Sequence, residues 1–268
     1  MSHWLVDGEP GALVSPEDRG LLYGDGLFET IAFHNGQSRL WSLHMQRLER
    51  GCRVLGLPDP DTARLASEAR QLVAGRSRAI VRLALTRGVG GRAYFPPAQV
   101  RSTRILIRRD WPRSIEQRRR DGIAMRSSSV RLGHDAAGGL KHSSRLNQVL
   151  IASELQSSGV EEGLVLDPEG RIVEGLAGNI VVERGGRLIA PGPHPAAVAG
   201  VGLAWLRQRA EALIEREMRA DELRSSDRLW VINSIQGPCP VRNLDGRPIE
   251  IEGVVRQWQD AWRKEVER

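Results

Sequence analysis

Lysine is almost missing from this chain. Its 268 residues hold 39 lysines and arginines together, yet lysine stands only at Lys141 and Lys264, so the other 37 are arginine. An arginine keeps its proton and can bind anions but cannot act as a nucleophile or base, whereas a desolvated lysine can do both. Cysteine is nearly absent too. Cys52 and Cys239 are too widely separated to make a disulfide framework or a metal motif, and no other metal-ligand spacing occurs. No apolar run approaches the length of a membrane span. The opening Met-Ser-His-Trp-Leu-Val-Asp-Gly-Glu-Pro has none of the positive-then-apolar pattern of a secretory signal. These absences point to a cytoplasmic protein with no membrane partner and no metal. The net charge of +6 and pI near 10.2 do not indicate nucleic acid, because the arginines are interleaved with acids. Even the densest patch, 108 to 121, is interrupted by Asp110, Glu116 and Asp121. A positive field of this kind suits an anionic small-molecule substrate and an anionic cofactor.

What is present centres on Lys141. Lys264 lies in a charged run near the end and reads as a solvated side chain. Lys141 follows Ala-Ala-Gly-Gly-Leu and precedes Ser143 and Ser144, either of which can cap a helix patterned by Leu146, Val149 and Leu150. On rarity alone, a catalytic and a surface role for it are equally open. Upstream, Gly24, Asp25 and Gly26 mark a turn before an apolar strand. Ser42 is expected to cap a helix ending near Gly56, with Leu48, Cys52 and Leu55 on its apolar face. Strands are expected at 79–87 and 102–108, separated by a glycine-rich loop, Gly-Val-Gly-Gly-Arg-Ala-Tyr-Phe-Pro-Pro. That loop lacks the Lys-Ser/Thr ending and helix of a nucleotide-binding loop. A charged connector at 111–121 divides a small N-terminal domain (1–110) from a larger one (122–268). In the second domain, Gly185-Gly186 reads as a hairpin turn. Ala199 to Gly202 opens an amphipathic helix carrying Leu203, Leu206, Ala210 and Leu213, and Val255, Trp258 and Trp262 form the stripe of a last helix.

Two runs carry a resemblance. Leu-Lys-His-Ser-Ser-Arg-Leu-Asn-Gln-Val-Leu around Lys141 and Val-Glu-Gly-Leu-Ala-Gly-Asn at 173–179 are together similar to the pyridoxal-phosphate enzymes of fold type IV. That superfamily includes the branched-chain and D-amino-acid aminotransferases and the 4-amino-4-deoxychorismate lyases, and the lyases resemble this chain most. His44-Met45-Gln46-Arg47-Leu48 resembles the His-x-x-Arg-Leu pattern of the same enzymes, and the segment 15–31 and the loop at 88–97 have counterparts there.

The resemblance implies an α/β fold of two domains, the larger barrel-like, and a homodimer. It implies pyridoxal 5'-phosphate as cofactor, with Lys141 as its covalent anchor and as general base and acid. Arg47 would grip the phosphate, since a planar fork of fixed charge suits a dianion. Glu174 would hold the proton on the pyridine nitrogen. Val201, Gly202 and Ser234 would donate to the phosphate, and Asn179 would belong to the same site. Arg92, Tyr94, Thr30 and Tyr23 would border the substrate. The implied reaction yields 4-aminobenzoate and pyruvate for folate synthesis, and an aminotransferase reaction on the same residues is the alternative. A binding protein without catalysis is a remoter one. Two departures stand out: Gly202 replaces the usual Thr or Asn, and Ser144 replaces an Asn common three residues after the lysine.

Overall fold

The computed structural model describes residues 3–267 and divides into two compact units. The division falls at Trp111/Pro112, and Leu140–Ser144 return to the first unit although sequence order puts them in the second.

The first unit contains β1 (Trp4–Val6), β2 (Glu9–Pro10), α1 (Arg19–Tyr23), β3 (Gly26–His34), α2 (Trp41–Leu55), α3 (Thr62–Val73), β4 (Arg78–Thr86) and β5 (Thr103–Arg109). Its antiparallel sheet runs β2-β1-β5-β4-β3. The apolar run in β3 fits a strand buried on both faces. Gly51 lets α2 lie close on β3, because a Cβ there would meet Leu27 Cδ1 at 2.6 Å. Helix α2 stops at Gly56 as expected. Its start differs from the expectation: Leu40 is the N-cap with no side-chain bond, and Ser42 lies inside the helix. Asp18 and Asp61 cap α1 and α3 through Gly20 N and Arg64 N, and α3 buries Leu65, Ala69, Leu72 and Val73 at helical spacing.

The second unit contains α4 (Ile115–Asp121), β6 (Ile123–Arg131), α5 (Leu146–Ser157), β7 (Glu162–Leu166), β8 (Ile172–Gly175), β9 (Asn179–Arg184), β10 (Arg187–Pro191), α6 (Val201–Arg207), β11 (Ile214–Arg216), β12 (Arg228–Asn233), β13 (Gly237–Leu244), β14 (Arg247–Pro248) and α7 (Val255–Val266). Its mixed sheet runs β11-β10-β9-β12-β13-β6-β7-β8, with β14 on β13. A core from Ile123, Leu164, Ile180, Val231 and Val241 lies on one face. The β9–β10 hairpin turns at Gly185-Gly186, both at positive φ. The charged stretch at 111–121 contains α4, whose Arg119 is buried and donates to Gln236 O at 2.6 Å.

Two helices differ from their expected patterns. In α5 the residues Leu146, Val149 and Leu150 are exposed, while Ile151 and Leu155 are buried. Neither Ser143 nor Ser144 caps it; the N-cap is Arg145, without a side-chain bond. Helix α6 ends at Arg207, so Ala210 and Leu213 lie beyond it. No helix among the described residues is long and apolar enough to cross a membrane.

Candidate active site

In the first unit the lysine segment pairs briefly with the edge strand β3. Phe28 N donates to Lys141 O at 2.9 Å, Ser143 N donates to Gly26 O at 2.9 Å, and Leu27 pairs with His142. This pairing joins residues more than a hundred positions apart, and it fixes Lys141 while leaving its side chain half-buried. The Lys141 Nζ lies 4.5 Å from the centroid of Phe28, and the guanidinium of Arg82 lies 4.0 Å from the same ring. Arg82 sits opposite Thr30 in the β3–β4 register, so Phe28, Thr30 and Arg82 share one face of the sheet. Burial and nearby Arg109 both lower the Arg82 pKa. Within an apolar strand Arg82 gave no sequence signal.

The opposite side of β3 turns Glu29 toward α2. Its Oε1 accepts from Arg47 Nε at 2.8 Å and its Oε2 from Arg47 Nη2 at 2.5 Å. His44 Nδ1 stands 2.6 Å from Oε2. Burial pushes the Glu29 carboxyl up, but Arg47 and His44 outweigh it and hold the pKa at about 2. Burial also lowers the pKa of His44, against the pull of Glu29. The neutral ring then donates from Nδ1, and its buried Nε2 has no hydrogen-bond partner among the described residues.

The glycine-rich loop is wrapped around another arginine that sequence reasoning passed over. Arg19 is 4% exposed and donates to Ala93 O at 2.7 Å and Tyr94 O at 3.2 Å. Asp25 Oδ2 ties it to Arg87, at 3.0 and 2.7 Å respectively. Arg92 and Tyr94 are exposed on this loop, and the Tyr94 and Tyr23 rings lie 5.5 Å apart.

The second unit brings together its own set. Glu174 is buried on β8, and its Oε2 accepts from Val198 N at 2.9 Å. Asn179 Nδ2 donates to Val198 O at 3.1 Å, so both side chains hold the segment that enters α6. Asn233 steadies the adjoining turn: its Oδ1 accepts from Ile235 N and Gln236 N, each at 2.9 Å, and its Nδ2 donates to Ala177 O. Ser234 is half-buried in that turn. Gly202, in the first turn of α6, lies against it, because a Cβ would meet the Asn233 carbonyl carbon at 2.8 Å. A threonine at 202 therefore does not fit. We expect Gly202→Thr to destabilise the protein by about 1–3 kcal/mol. Thermal melting checks this.

Glu162, also missed in the sequence, lies beneath the loop after Glu174. Its Oε1 accepts from Gly163 N at 3.1 Å and Ala177 N at 3.2 Å. Burial raises its pKa to about 7 despite these donors. Folded Glu162 thus holds its proton more tightly than the unfolded chain does. Its contribution to stability is complete below the ordinary glutamate value of 4.5 and is lost as pH rises through about 7. The melting temperature of Glu162→Gln is expected to fall less than that of the wild type between about pH 5 and pH 8. An equal fall in both proteins sinks this assignment.

A family profile described as amino-transferase class IV matches residues 26–244. Aminodeoxychorismate lyase from Vibrio harveyi is 26% identical over 252 residues, covering 92% of this chain and 93% of that one. The crystal structure of 4-amino-4-deoxychorismate lyase from Pseudomonas aeruginosa superposes with a TM-score of 0.91 and 39% identity, covering 99% of this chain and 100% of that one. The branched-chain amino acid aminotransferase of Escherichia coli superposes at 0.88 with 22% identity, over 98% and 94% of the two chains, and shares the fold.

Proposed function

The chain belongs to the class IV amino-transferase family, and from that premise we propose that it is a 4-amino-4-deoxychorismate lyase using pyridoxal phosphate, with 4-aminobenzoate and pyruvate as products for folate synthesis. The full-length likeness to the Pseudomonas lyase carries this reading. The residues present fit the cofactor by their chemistry. Lys141 is a primary amine anchored through its backbone to β3. Arg47 is a guanidinium already held in a fixed plane. Glu174 is a buried carboxylate, and Gly202 leaves no side chain over the Asn233–Ser234 turn.

In this reading Arg47 would be the phosphate ligand of the first unit, and the backbone N–H groups of Val201 and Gly202 and the hydroxyl of Ser234 would be the phosphate donors of the second. Asn179 keeps the Val198 segment in place for them. Glu174 keeps a proton on the pyridine nitrogen. When bound, the cofactor supplies an aldehyde for the substrate amine and an electron-accepting ring. Lys141 removes the proton from the substrate ring carbon that bears the amine. The carbon–oxygen bond to the enolpyruvyl group then breaks, the ring becomes aromatic, and the departing group gains a proton as pyruvate. No oxidant or keto acid is consumed. Arg82, Arg92, Thr30, Tyr23 and Tyr94 serve the anionic substrate.

We also read the protein as a cytoplasmic homodimer. Leu21, Leu22, Tyr94 and Phe95 form exposed apolar surface on the first unit, which supports association. Both cysteines are free and buried, as a reducing compartment permits.

The test is a single incubation of cofactor-loaded protein with aminodeoxychorismate and no keto acid. Equal amounts of pyruvate and 4-aminobenzoate over many turnovers are expected. No product, with a cofactor band that changes only on adding an amino acid, overturns the lyase in favour of an aminotransferase.

A further inference from the structure

We propose that Glu29 is a positioning residue for the cofactor phosphate: it fixes the plane of Arg47, with His44 bracing its second oxygen. The inference rests on the reading of Arg47 as a phosphate ligand and adds to it the residue through which Arg47 acts.

Three observations carry it. Glu29 stands in the middle of β3, where every other side chain except Thr30 and His34 is apolar, and it is 1% exposed. A carboxylate so placed needs partners that keep it charged. Both partners come from one face of one helix, since His44 and Arg47 are three residues apart on α2. The contact to Arg47 is two-pronged, using Nε and Nη2, which fixes both the rotation of the guanidinium and the tilt of its plane.

The arrangement has a cost that makes a purely electrostatic role implausible. A carboxylate beside Arg47 cancels part of the charge that attracts a phosphate. Were attraction alone at stake, an apolar residue at 29 would serve better. The carboxylate instead removes the freedom of a long side chain before the phosphate arrives, so that orientation is not lost on binding. Glutamine at 29 keeps the shape but offers an amide N–H₂ to one of the two arginine donors. That donor–donor encounter turns the guanidinium away.

The test compares pyridoxal phosphate with pyridoxal, which lacks the phosphate, by titrating apoprotein and following the visible band. For Glu29→Gln we expect the dissociation constant for pyridoxal phosphate to rise about tenfold or more, and that for pyridoxal to stay within about twofold. Arg47→Ala should narrow the preference for the phosphorylated form at least as much as Glu29→Gln does. Glu29→Asp keeps the buried charge but falls short of Arg47, and should move in the same direction; it serves if the glutamine variant does not fold. If Glu29→Gln weakens both ligands equally, Glu29 is a structural residue and the inference fails. If it changes neither while Arg47→Ala narrows the preference, Arg47 orients itself and the inference fails with the phosphate reading intact. If Arg47→Ala leaves the preference unchanged, both fall. None of these outcomes depends on lyase turnover, which is measured separately.

Discussion

Lys141→Ala is expected to leave a folded protein whose turnover of aminodeoxychorismate is lower by about a thousandfold or more. The fold should survive because the structural contact at this position is made by the backbone. Phe28 N donates to the carbonyl oxygen of residue 141, which alanine keeps, and the side chain approaches the Phe28 ring. Loss of that approach costs about 0.5–1 kcal/mol. Chemistry suffers far more. Positioned proton transfer is worth about 10²–10⁴ in rate, and the covalent hold on the cofactor is lost with it. Lys141→Arg should be as inactive as the alanine variant, since a guanidinium cannot give up its proton. Borohydride reduction followed by peptide mapping gives a second readout. The cofactor should remain fixed to the peptide carrying residue 141 in the wild type and to no peptide in either variant. A label on Lys264, or more than about a tenth of wild-type turnover in Lys141→Ala, sinks the assignment.

Rarity singled out the lysine and the family resemblance gave it a role, but its place in the fold was not legible. The pairing of Leu140–Ser144 with β3 joins segments distant along the chain, and neither carries a pattern that names the other. What could be read was local. The β9–β10 hairpin follows from Gly185-Gly186, the end of α2 from Gly56, and β3 from its apolar run. Helix α5 misled because Leu146, Val149 and Leu150 are exposed, so a pattern taken for a buried face is a surface. The proposed site rests on residue type, on an amine, a guanidinium on a helix and a carboxylate beside a glycine, which is what a sequence displays. Residues acting through others stayed hidden. Glu29 looks like any strand residue until His44 and Arg47 are seen against it, and Arg19 until a loop is seen closing on its guanidinium. One signal for Glu29 did exist, a lone acid within an otherwise apolar strand, because such a residue must be paired when buried.

The second large effect belongs to Glu174→Gln. The substitution keeps volume and retains an oxygen that can accept from Val198 N, so the segment entering α6 should hold its course and stability should change little. In the proposed site, what the amide could not do is keep a full negative charge for the pyridine nitrogen. The cofactor would then be a poorer electron acceptor, and removal of the substrate proton by Lys141 would be slower. Turnover is expected to fall about 10²–10³-fold, with cofactor affinity changed by less than about tenfold, because Arg47 and the backbone donors near Gly202 are untouched. The loss should lie in proton removal, so a substrate deuterated at the ring carbon bearing the amine should react more slowly than the ordinary one, by a larger factor in the variant than in the wild type. Equal factors in the two proteins, with turnover still reduced, would place the action of Glu174 on another step. Unchanged turnover would remove it from the chemistry and leave it as a tether for Val198.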